Sequence, residues 1–264
     1  MKQSNLIKIQ FALVAFFLIA YATISSGQKV VQAQDIVDAL KDGKDVSYEN
    51  VTVTGIMDLT AYAEEAAILP KQKGYNGKEI ENNIKGNLSF KNCSFDDHVY
   101  AYFNDDNISH TKGNSKYTFV TDFRGKVAFE NCTFEKRAWF KYSDFSEKAI
   151  FTGTTFNGSS TFKYAEFPEH ADFAGTTFND DNTFKYAEFW ESVSFANASF
   201  KENAIFKYTK FKDGVTFKNT IFDEDLDFKY TEIRGEFEDG NMQVDGEVTT
   251  KYMKVNGKKF SHWN

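Results

Sequence analysis

Large apolar residues recur along this chain at alternating steps of five and six residues. The steps run without a slip through Phe129, Phe134, Phe140, Phe145, Phe151, Phe156, Phe162, Phe167, Phe173, Phe178, Phe184, Phe189, Phe195, Phe200, Phe206, Phe211, Phe217, Phe222, Phe228 and Ile233. The residue two positions before each is nearly always small or β-branched, as at Val127 and Cys132. Residues two apart face the same side of an extended strand. Each unit is therefore predicted to direct one small and one large side chain inward and then to turn.

A longer period lies on top of these steps. It is marked by the triplet Phe-Lys-Tyr, which starts at Phe140, Phe162, Phe184, Phe206 and Phe228. Four units of five, six, five and six residues fill the interval from one triplet to the next, which predicts one coil with four short faces for each such interval. A helix would not align these Phe residues, because five residues advance a helix by a net rotation of about 140°.

The pattern of a small residue, a polar residue and a large apolar residue resembles the pentapeptide-repeat family. Units such as Ala165-Glu166-Phe167 and Ala187-Glu188-Phe189 carry the resemblance, although every second unit here has one extra residue. The resemblance implies an all-β fold, a right-handed quadrilateral parallel β-helix. It says less about function, because one fold hosts many functions.

The N-terminal segment 1–22 is predicted to be an export signal. Lys2 and Lys8 lie in a basic N-terminal region, the uncharged apolar run 11–22 follows, and Ala20-Tyr21-Ala22 fits a small-x-small cleavage pattern. Residues 1–22 are therefore predicted to be a signal peptide, with an N-terminal membrane anchor as the alternative. In both cases we expect the rest of the chain to be extracellular or in the cell envelope, with membrane contact only through this segment.

Residues 23–45 are predicted to be a linker and a short helix that caps the solenoid. Ile36, Val37 and Leu40 have helical spacing, and Gly43 would end the helix. Residues 46–264 are predicted to form a single β-helix domain with loop insertions near 61–81 and 96–116. Both insertions interrupt the steps of five and six residues.

Charge and motif content point away from catalysis and from nucleic acid. The formal net charge is −7 and no basic face is evident, so no nucleic-acid partner is expected. His98, His110, His170 and His262 lie in no catalytic or metal-ligand motif. The segment 96–110 is rich in Asp and His, but its spacing matches no known metal loop. We therefore predict a non-enzymatic protein without a cofactor or a metal site.

Two cysteines and seven sequons are candidate modification sites. The interval from Cys93 to Cys132 exceeds the long period, so an insertion between them that accounts for the excess would place them in adjacent coils. They are predicted to form a disulfide or, alternatively, to be two buried free thiols. The glycosylation candidates are Asn50, Asn87, Asn92, Asn107, Asn131, Asn157 and Asn197. Asn is also a natural corner residue in such a repeat, which is the alternative explanation.

The long period predicts ladders of identical side chains. The candidate binding row is Tyr142, Tyr164, Tyr186, Tyr208 and Tyr230, which Tyr252 continues. A row of Lys lies one position earlier in each coil. Two positions after the Tyr row come Asp144, Glu166, Glu188 and Glu232, with Lys210 between the last two. These rows are predicted to be either a self-complementary structural face or a strip that binds a polysaccharide or a protein.

The main functional hypothesis is an exported, non-catalytic scaffold at the cell surface or envelope, with an unknown protein or glycan as partner. A carbohydrate-binding module that uses the Tyr row is the first alternative. The family resemblance implies a second alternative, a DNA-mimicking protein that binds gyrase, which the export segment and the Lys row disfavour. The resemblance also implies a homodimer through the C-terminal coil; otherwise Phe260 and Trp263 would form an aromatic lid on the last coil.

Overall fold

A computed structural model of the chain describes residues 28–60, 78–104, 117–261 and 263. Within them the backbone winds into stacked coils with four faces; three faces are single sheets, the fourth is formed by two sheets, and most strands are parallel. The predicted signal segment 1–22 and Asn107 lie outside the described residues. So do residues 61–77 and 105–116, which are most of the two predicted insertions.

Three faces are continuous parallel sheets along the rod. Face 1 has eight strands, Val46–Glu49, Leu88–Lys91, Val127–Glu130, Ala149–Ile150, Ala171–Asp172, Val193–Ser194, Val215–Thr216 and Phe237–Glu238. Face 2 has nine, Lys29–Gln32, Val51–Thr54, Ser94–Phe95, Thr133–Phe134, Thr155–Phe156, Thr177–Phe178, Ser199–Phe200, Ile221–Phe222 and Gln243–Val244. Face 3 has eight, Met57–Asp58, Val99–Tyr100, Ala138–Trp139, Ser160–Thr161, Asn182–Thr183, Ala204–Ile205, Leu226–Asp227 and Val248–Thr249.

Face 4 is built from two sheets. The first contains Lys78–Ile84, Tyr117–Phe123 and Tyr102–Asn104, the last of which is antiparallel to its neighbour. The second contains Glu166–Phe167, Glu188–Phe189, Lys210–Phe211, Glu232–Ile233, Lys254–Val255 and the antiparallel Lys258–Lys259. Isolated bridges from Phe123 to Phe145 and from Asp144 to Glu166 connect the two sheets. The sequence-based fold is therefore confirmed: the chain forms a four-sided parallel β-helix.

The register between coils equals the predicted long period, except where segments are inserted. Phe156 pairs with Phe178, which is one period later. Val46 pairs with Leu88, and Leu88 pairs with Val127, so the first two coils are both longer than one period. The extra chain of each coil is an insertion, and the first insertion is slightly longer than the second. Both insertions lie between face 3 and face 4.

The structure corrects the edges of both predicted loops. Residues 78–81 belong to the strand Lys78–Ile84, which pairs in parallel register with Tyr117–Phe123. Val99–Tyr100 is a regular strand of face 3, so the coil continues beyond residue 96. These long strands satisfy each other's backbone hydrogen bonds beyond the coil, which lets the inserted chain remain extended where a loop was predicted.

The interior is a set of stacked Phe columns. The rings of Phe134 and Phe156 lie 4.9 Å apart at an angle of 3°, whereas Phe151 and Phe162 meet edge to face. Burial of each such side chain contributes roughly 1.5–3 kcal/mol. Inward Thr hydroxyls are also satisfied, since Thr154 Oγ1 donates to the carbonyl oxygen of Phe129 at 2.6 Å.

Both ends of the rod are covered. The helix α1, Ala33–Lys41, buries Ile36, Val37 and Leu40 against the first coil, which confirms the predicted capping helix. It ends where Gly43 adopts a φ of +73° and its N–H donates to the carbonyl oxygen of Leu40. At the other end Phe260 and Trp263 pack on Phe237. Among the described residues, no helix combines the length and apolar character needed to cross a membrane.

Candidate functional site: the groove on face 4

The predicted Tyr row lies at the corner between face 3 and face 4. All six residues from Tyr142 to Tyr252 at this position have positive φ, between 60° and 65°. In one coil the N–H of Ala165 donates to the carbonyl oxygen of Phe162, which closes a tight turn with Tyr164 at its third position. That position favours Gly or Asn. The corner between face 1 and face 2 follows this preference, with Asn131 and Gly153 at positive φ.

The structure brings these Tyr rings together into a continuous stack. Consecutive centroids from Tyr142 to Tyr252 are 4.6–4.8 Å apart, and most ring planes are within 5° of parallel. Tyr102 extends the stack towards the first coils, with its ring 5.9 Å from that of Tyr142. Both faces of each interior ring are therefore covered by neighbouring rings. The ring edges and phenolic oxygens remain for contact with a ligand.

The Lys row packs against the Tyr rings. Lys163 Nζ lies 5.2 Å from the centroid of the Tyr164 ring, and the equivalent Lys in the other coils are placed similarly. Such cation–π contacts are worth roughly 0.5–1 kcal/mol at exposed sites. Burial, with the charges of Lys141 and Lys185, lowers the pKa of Lys163. These contacts support the interpretation of the Lys row and the Tyr row as a self-complementary structural face.

The Tyr stack forms one side of a groove of about 1000 Å³. Its lining residues are Glu79, Glu81, Val120, Asp122, Tyr142, Asp144, Tyr164, Glu166, Tyr186, Glu188, Tyr208, Lys210, Tyr230, Glu232, Tyr252 and Lys254. The predicted acidic row thus lies beside the Tyr stack. The inserted strands Lys78–Ile84 and Tyr117–Phe123 extend the groove over the first coils.

Several groove residues were not predicted from the sequence. Glu79, Glu81 and Asp122 come from the inserted strands, where the repeat does not define a register. The interval from Tyr102 to Tyr142 is one residue longer than the interval that relates Val99 to Ala138, so spacing alone does not reveal the place of Tyr102 in the stack. The one usable indication was the alternation of charged and apolar residues around Ile80.

Carboxylates dominate the electrostatics of the groove. Arg124 donates to Asp122 at 2.8 Å and to Asp144 at 2.7 Å. Burial nonetheless raises the pKa of Asp122, and burial together with the charges of Glu81 and Asp122 raises the pKa of Glu79. Farther along the groove, towards the last coils, lysines lie beside the carboxylates and compensate their charge. Although burial opposes it, hydrogen bonds and charge from Lys210 and Lys212 lower the pKa of Glu188.

Cys93 and Cys132 occupy equivalent positions in neighbouring coils, because Ser94 pairs with Thr133. Both are buried free thiols in the structure. The Sγ atom of Cys93 donates to the carbonyl oxygen of Lys91, and that of Cys132 donates to the carbonyl oxygen of Phe90. Burial raises the pKa of Cys132 to about 12. A disulfide between them stays a prediction, and the geometry favours the alternative of two free thiols.

The described sequon residues lie at exposed corners. Asn50, Asn92, Asn131 and Asn197 adopt positive φ, and several of the side-chain amides bond to the next coil. Asn92 Nδ2 donates to Asn50 Oδ1 at 3.3 Å, and Asn87 Nδ2 donates to Asp45 at 3.1 Å. Asn157 accepts a similar bond from Asn179. These contacts explain the recurrence of Asn at corners, while glycosylation stays a prediction.

No group of three or more His, Cys, Asp or Glu residues suited to a metal ion occurs within residues 28–60, 78–104 and 117–261. Of the acidic and His-rich segment, Asp97 is paired with Lys136, and His98 Nδ1 accepts from the N–H of Arg137. Asp105, Asp106 and His110 lie outside the described residues.

Stacked four-sided coils with a side groove define a repeat-solenoid scaffold. The family model described as pentapeptide repeats (9 copies) matches residues 121–166, 140–188 and 184–232, which include most of the Tyr stack. Residues 121–232 of the chain therefore carry pentapeptide repeats, as the resemblance noted in the sequence implied. No curated protein matches the chain.

Proposed function

We propose that this protein is an exported, non-catalytic scaffold of the cell surface or envelope that holds a partner along the groove on face 4. The single observation that carries the proposal is the groove itself, because it follows the Tyr stack while the interior of the rod is filled by Phe. A filled interior leaves the outer faces for binding. The apolar run within residues 1–22 supports export.

Cell fractionation combined with N-terminal sequencing tests the location. We expect a mature chain that begins just after Ala22 in the medium or the envelope fraction. An intact N-terminus in the membrane fraction would show that residues 1–22 are a membrane anchor and not a cleaved signal peptide. An intact chain that occurs only in the cytosol would contradict export.

The carbohydrate-binding alternative has a specific physical obstacle. Sugars stack on open aromatic faces, whereas the rings of Tyr164 and Tyr186 cover each other at 4.7 Å. Among the described rings of the stack, the terminal ring of Tyr252, which is 53% exposed, is the one that offers a free face. Glycan binding that falls when Tyr186 and Tyr208 are changed to Ala would favour this alternative over a protein partner.

A gyrase supercoiling assay tests the DNA-mimic alternative. We expect no inhibition by micromolar protein, because the Lys row runs beside the groove. Inhibition at submicromolar protein, together with a cytosolic location, would favour the DNA mimic.

A homodimer through the C-terminal coil stays a prediction. Phe260 and Trp263 pack on Phe237, and Trp263 Nε1 donates to Asp239 at 3.0 Å. These contacts agree with the aromatic lid and leave less apolar surface for a second copy. Light scattering of the purified chain would measure its oligomeric state.

A further inference from the structure

Charge is distributed unevenly along the groove. Five carboxylates lie at the end nearer the first coils, which we call the acidic end: Glu79, Glu81, Asp122, Asp144 and Glu166. Arg124 bonds to two of them. Towards the last coils, Glu188, Lys210, Glu232 and Lys254 alternate in sign and form ion pairs. Among the residues that line the groove, excess negative charge is therefore concentrated at the acidic end.

One carboxylate oxygen at the acidic end lacks a donor. Asp144 Oδ2 accepts from Arg124, but Asp144 Oδ1 is buried and has no hydrogen-bond partner among the described residues. The Asp144 side chain as a whole is 33% exposed and lines the groove, so its carboxylate adds negative charge to the acidic end.

The shape of the groove suits an extended ligand. It follows the stacked coils from the inserted strands to Tyr252, and consecutive strands are spaced by roughly 4.8 Å. The eight stacked rows from Lys78–Ile84 to Lys254–Val255 thus span on the order of 34 Å, the length of about ten residues of extended peptide. Phenolic oxygens along one side can both donate and accept hydrogen bonds.

We propose that the groove binds an extended, lysine- or arginine-rich peptide segment of a partner protein, with basic residues at the acidic end. The proposal rests on the proposed function in taking the groove as the partner-binding surface, and it names the chemistry of that partner. A peptide offers backbone N–H and C=O groups to the Tyr hydroxyls and cations to the carboxylates. A polyamine offers only donors and would leave the phenolic O–H groups without acceptors.

Fluorescence anisotropy of a labelled octalysine peptide with the purified full chain tests this proposal. We expect saturable binding at low salt that weakens as salt screens the charges. The double variant Glu79→Gln/Glu81→Gln should weaken binding by about fivefold to tenfold. Glu202→Gln/Glu224→Gln is the matched control, because these exposed carboxylates lie at the corner between face 2 and face 3. The control should bind as the unchanged chain does.

A second variant separates hydroxyl contacts from packing. Tyr186→Phe/Tyr208→Phe keeps the ring stack, and we expect binding to weaken by about threefold, the loss of one or two hydrogen bonds. Thermal unfolding of each variant would show that the fold is retained. Three outcomes would overturn the proposal: no binding at millimolar protein, equal weakening in the control pair, or tighter binding of spermine than of octalysine. Fractionation tests export separately, so a cytosolic protein could still bind the peptide.

Discussion

The rings of Tyr164 and Tyr186 lie parallel, with 0° between their planes and 4.7 Å between their centroids, although both residues have a backbone conformation that disfavours bulky side chains. The equivalent corner between face 1 and face 2 uses Asn197 and Gly175. A local cost of roughly 1–2 kcal/mol at each Tyr is therefore offset by stacking and by the Lys row.

Substitution of Tyr186 should separate these two contributions. Tyr186→Ala loses the stack and keeps the backbone cost, so we expect the free energy of unfolding to fall by about 1–2 kcal/mol. Tyr186→Asn also loses the stack but tolerates positive φ, so its loss should be smaller by about 0.5–1 kcal/mol. Urea unfolding measures both variants. Equal losses would mean that backbone strain does not contribute.

The matched control for this comparison is Asn197→Ala at the opposite corner. It introduces the same backbone cost without any loss of aromatic stacking, although it also removes the bond from Asn219. We expect it to destabilise the chain by about 1 kcal/mol.

A buried polar pair on face 3 should be dispensable. Asn182 Nδ2 donates to Ser160 Oγ at 2.9 Å, while Asn182 Oδ1 is buried without a partner among the described residues. The same column holds Ala138 and Ala204 in the flanking coils. Ser160→Ala alone should lower stability by about 1–3 kcal/mol, because Asn182 then loses its remaining partner.

Removal of both polar groups should reverse that loss. For Ser160→Ala/Asn182→Ala we expect stability at or about 1 kcal/mol above that of the unchanged chain. Thermal unfolding of the single and double variants measures the coupling. A double variant less stable than Ser160→Ala would show that the lost volume of Asn182 matters more than its unpaired oxygen.

The repeat could be predicted from the sequence because every unit follows the same short pattern of inward residues and turns. Phe178 and Phe200 occupy the same column because each follows a small inward residue two positions earlier and a turn of fixed length. The Tyr row and the acidic row follow from the same period, so their place on one face was also predictable. The capping helix was recognisable from the spacing of Ile36 and Leu40.

The rest of the structure depends on strand pairings that lie outside the repeat and therefore recur at no fixed interval. The strand Lys29–Gln32 pairs with Val51–Thr54, but it precedes the first repeat and carries no Phe. The inserted strands contribute Glu79 and Glu81 to the groove only because Lys78–Ile84 pairs with a second insertion. Pairing between two insertions of different length cannot be read from spacing, so Glu79, Glu81 and Asp122 were not predicted to join Asp144 and Glu166 at the acidic end.

The cysteines should be free and slow to react. Burial raises the pKa of Cys132 to about 12, so little thiolate forms at pH 8. Mass spectrometry after alkylation in denaturant without reductant should show two modified thiols. Alkylation of the native chain at pH 8 should be slower than in denaturant by at least about 100-fold. Recovery of an unmodified chain about 2 Da lighter, in which both thiols resist alkylation until reduced, would establish the disulfide instead.

Loss of a core ring should cost most in the middle of the rod. Phe184 stacks on Phe162 and Phe206, with centroids at 5.0 and 5.1 Å. We expect Phe184→Ala to lower stability by about 3–5 kcal/mol. Phe237→Ala in the half-buried last coil is the control and should cost about half as much. Comparable losses in urea unfolding would indicate that the rod unfolds as one unit and that its end is packed as tightly as its centre.

Both insertions interrupt the coil at the corner where the later coils carry Lys and Tyr. Leu59 and Ala101 end the regular chain before it departs, and Ile84 and Phe123 return it to the same column. The coils before and after each insertion remain aligned. This corner therefore accepts extra chain of different lengths without disturbing the Phe columns. It is thus a natural graft point, where new walls could be added to the groove, or exchanged for others, on an unchanged frame.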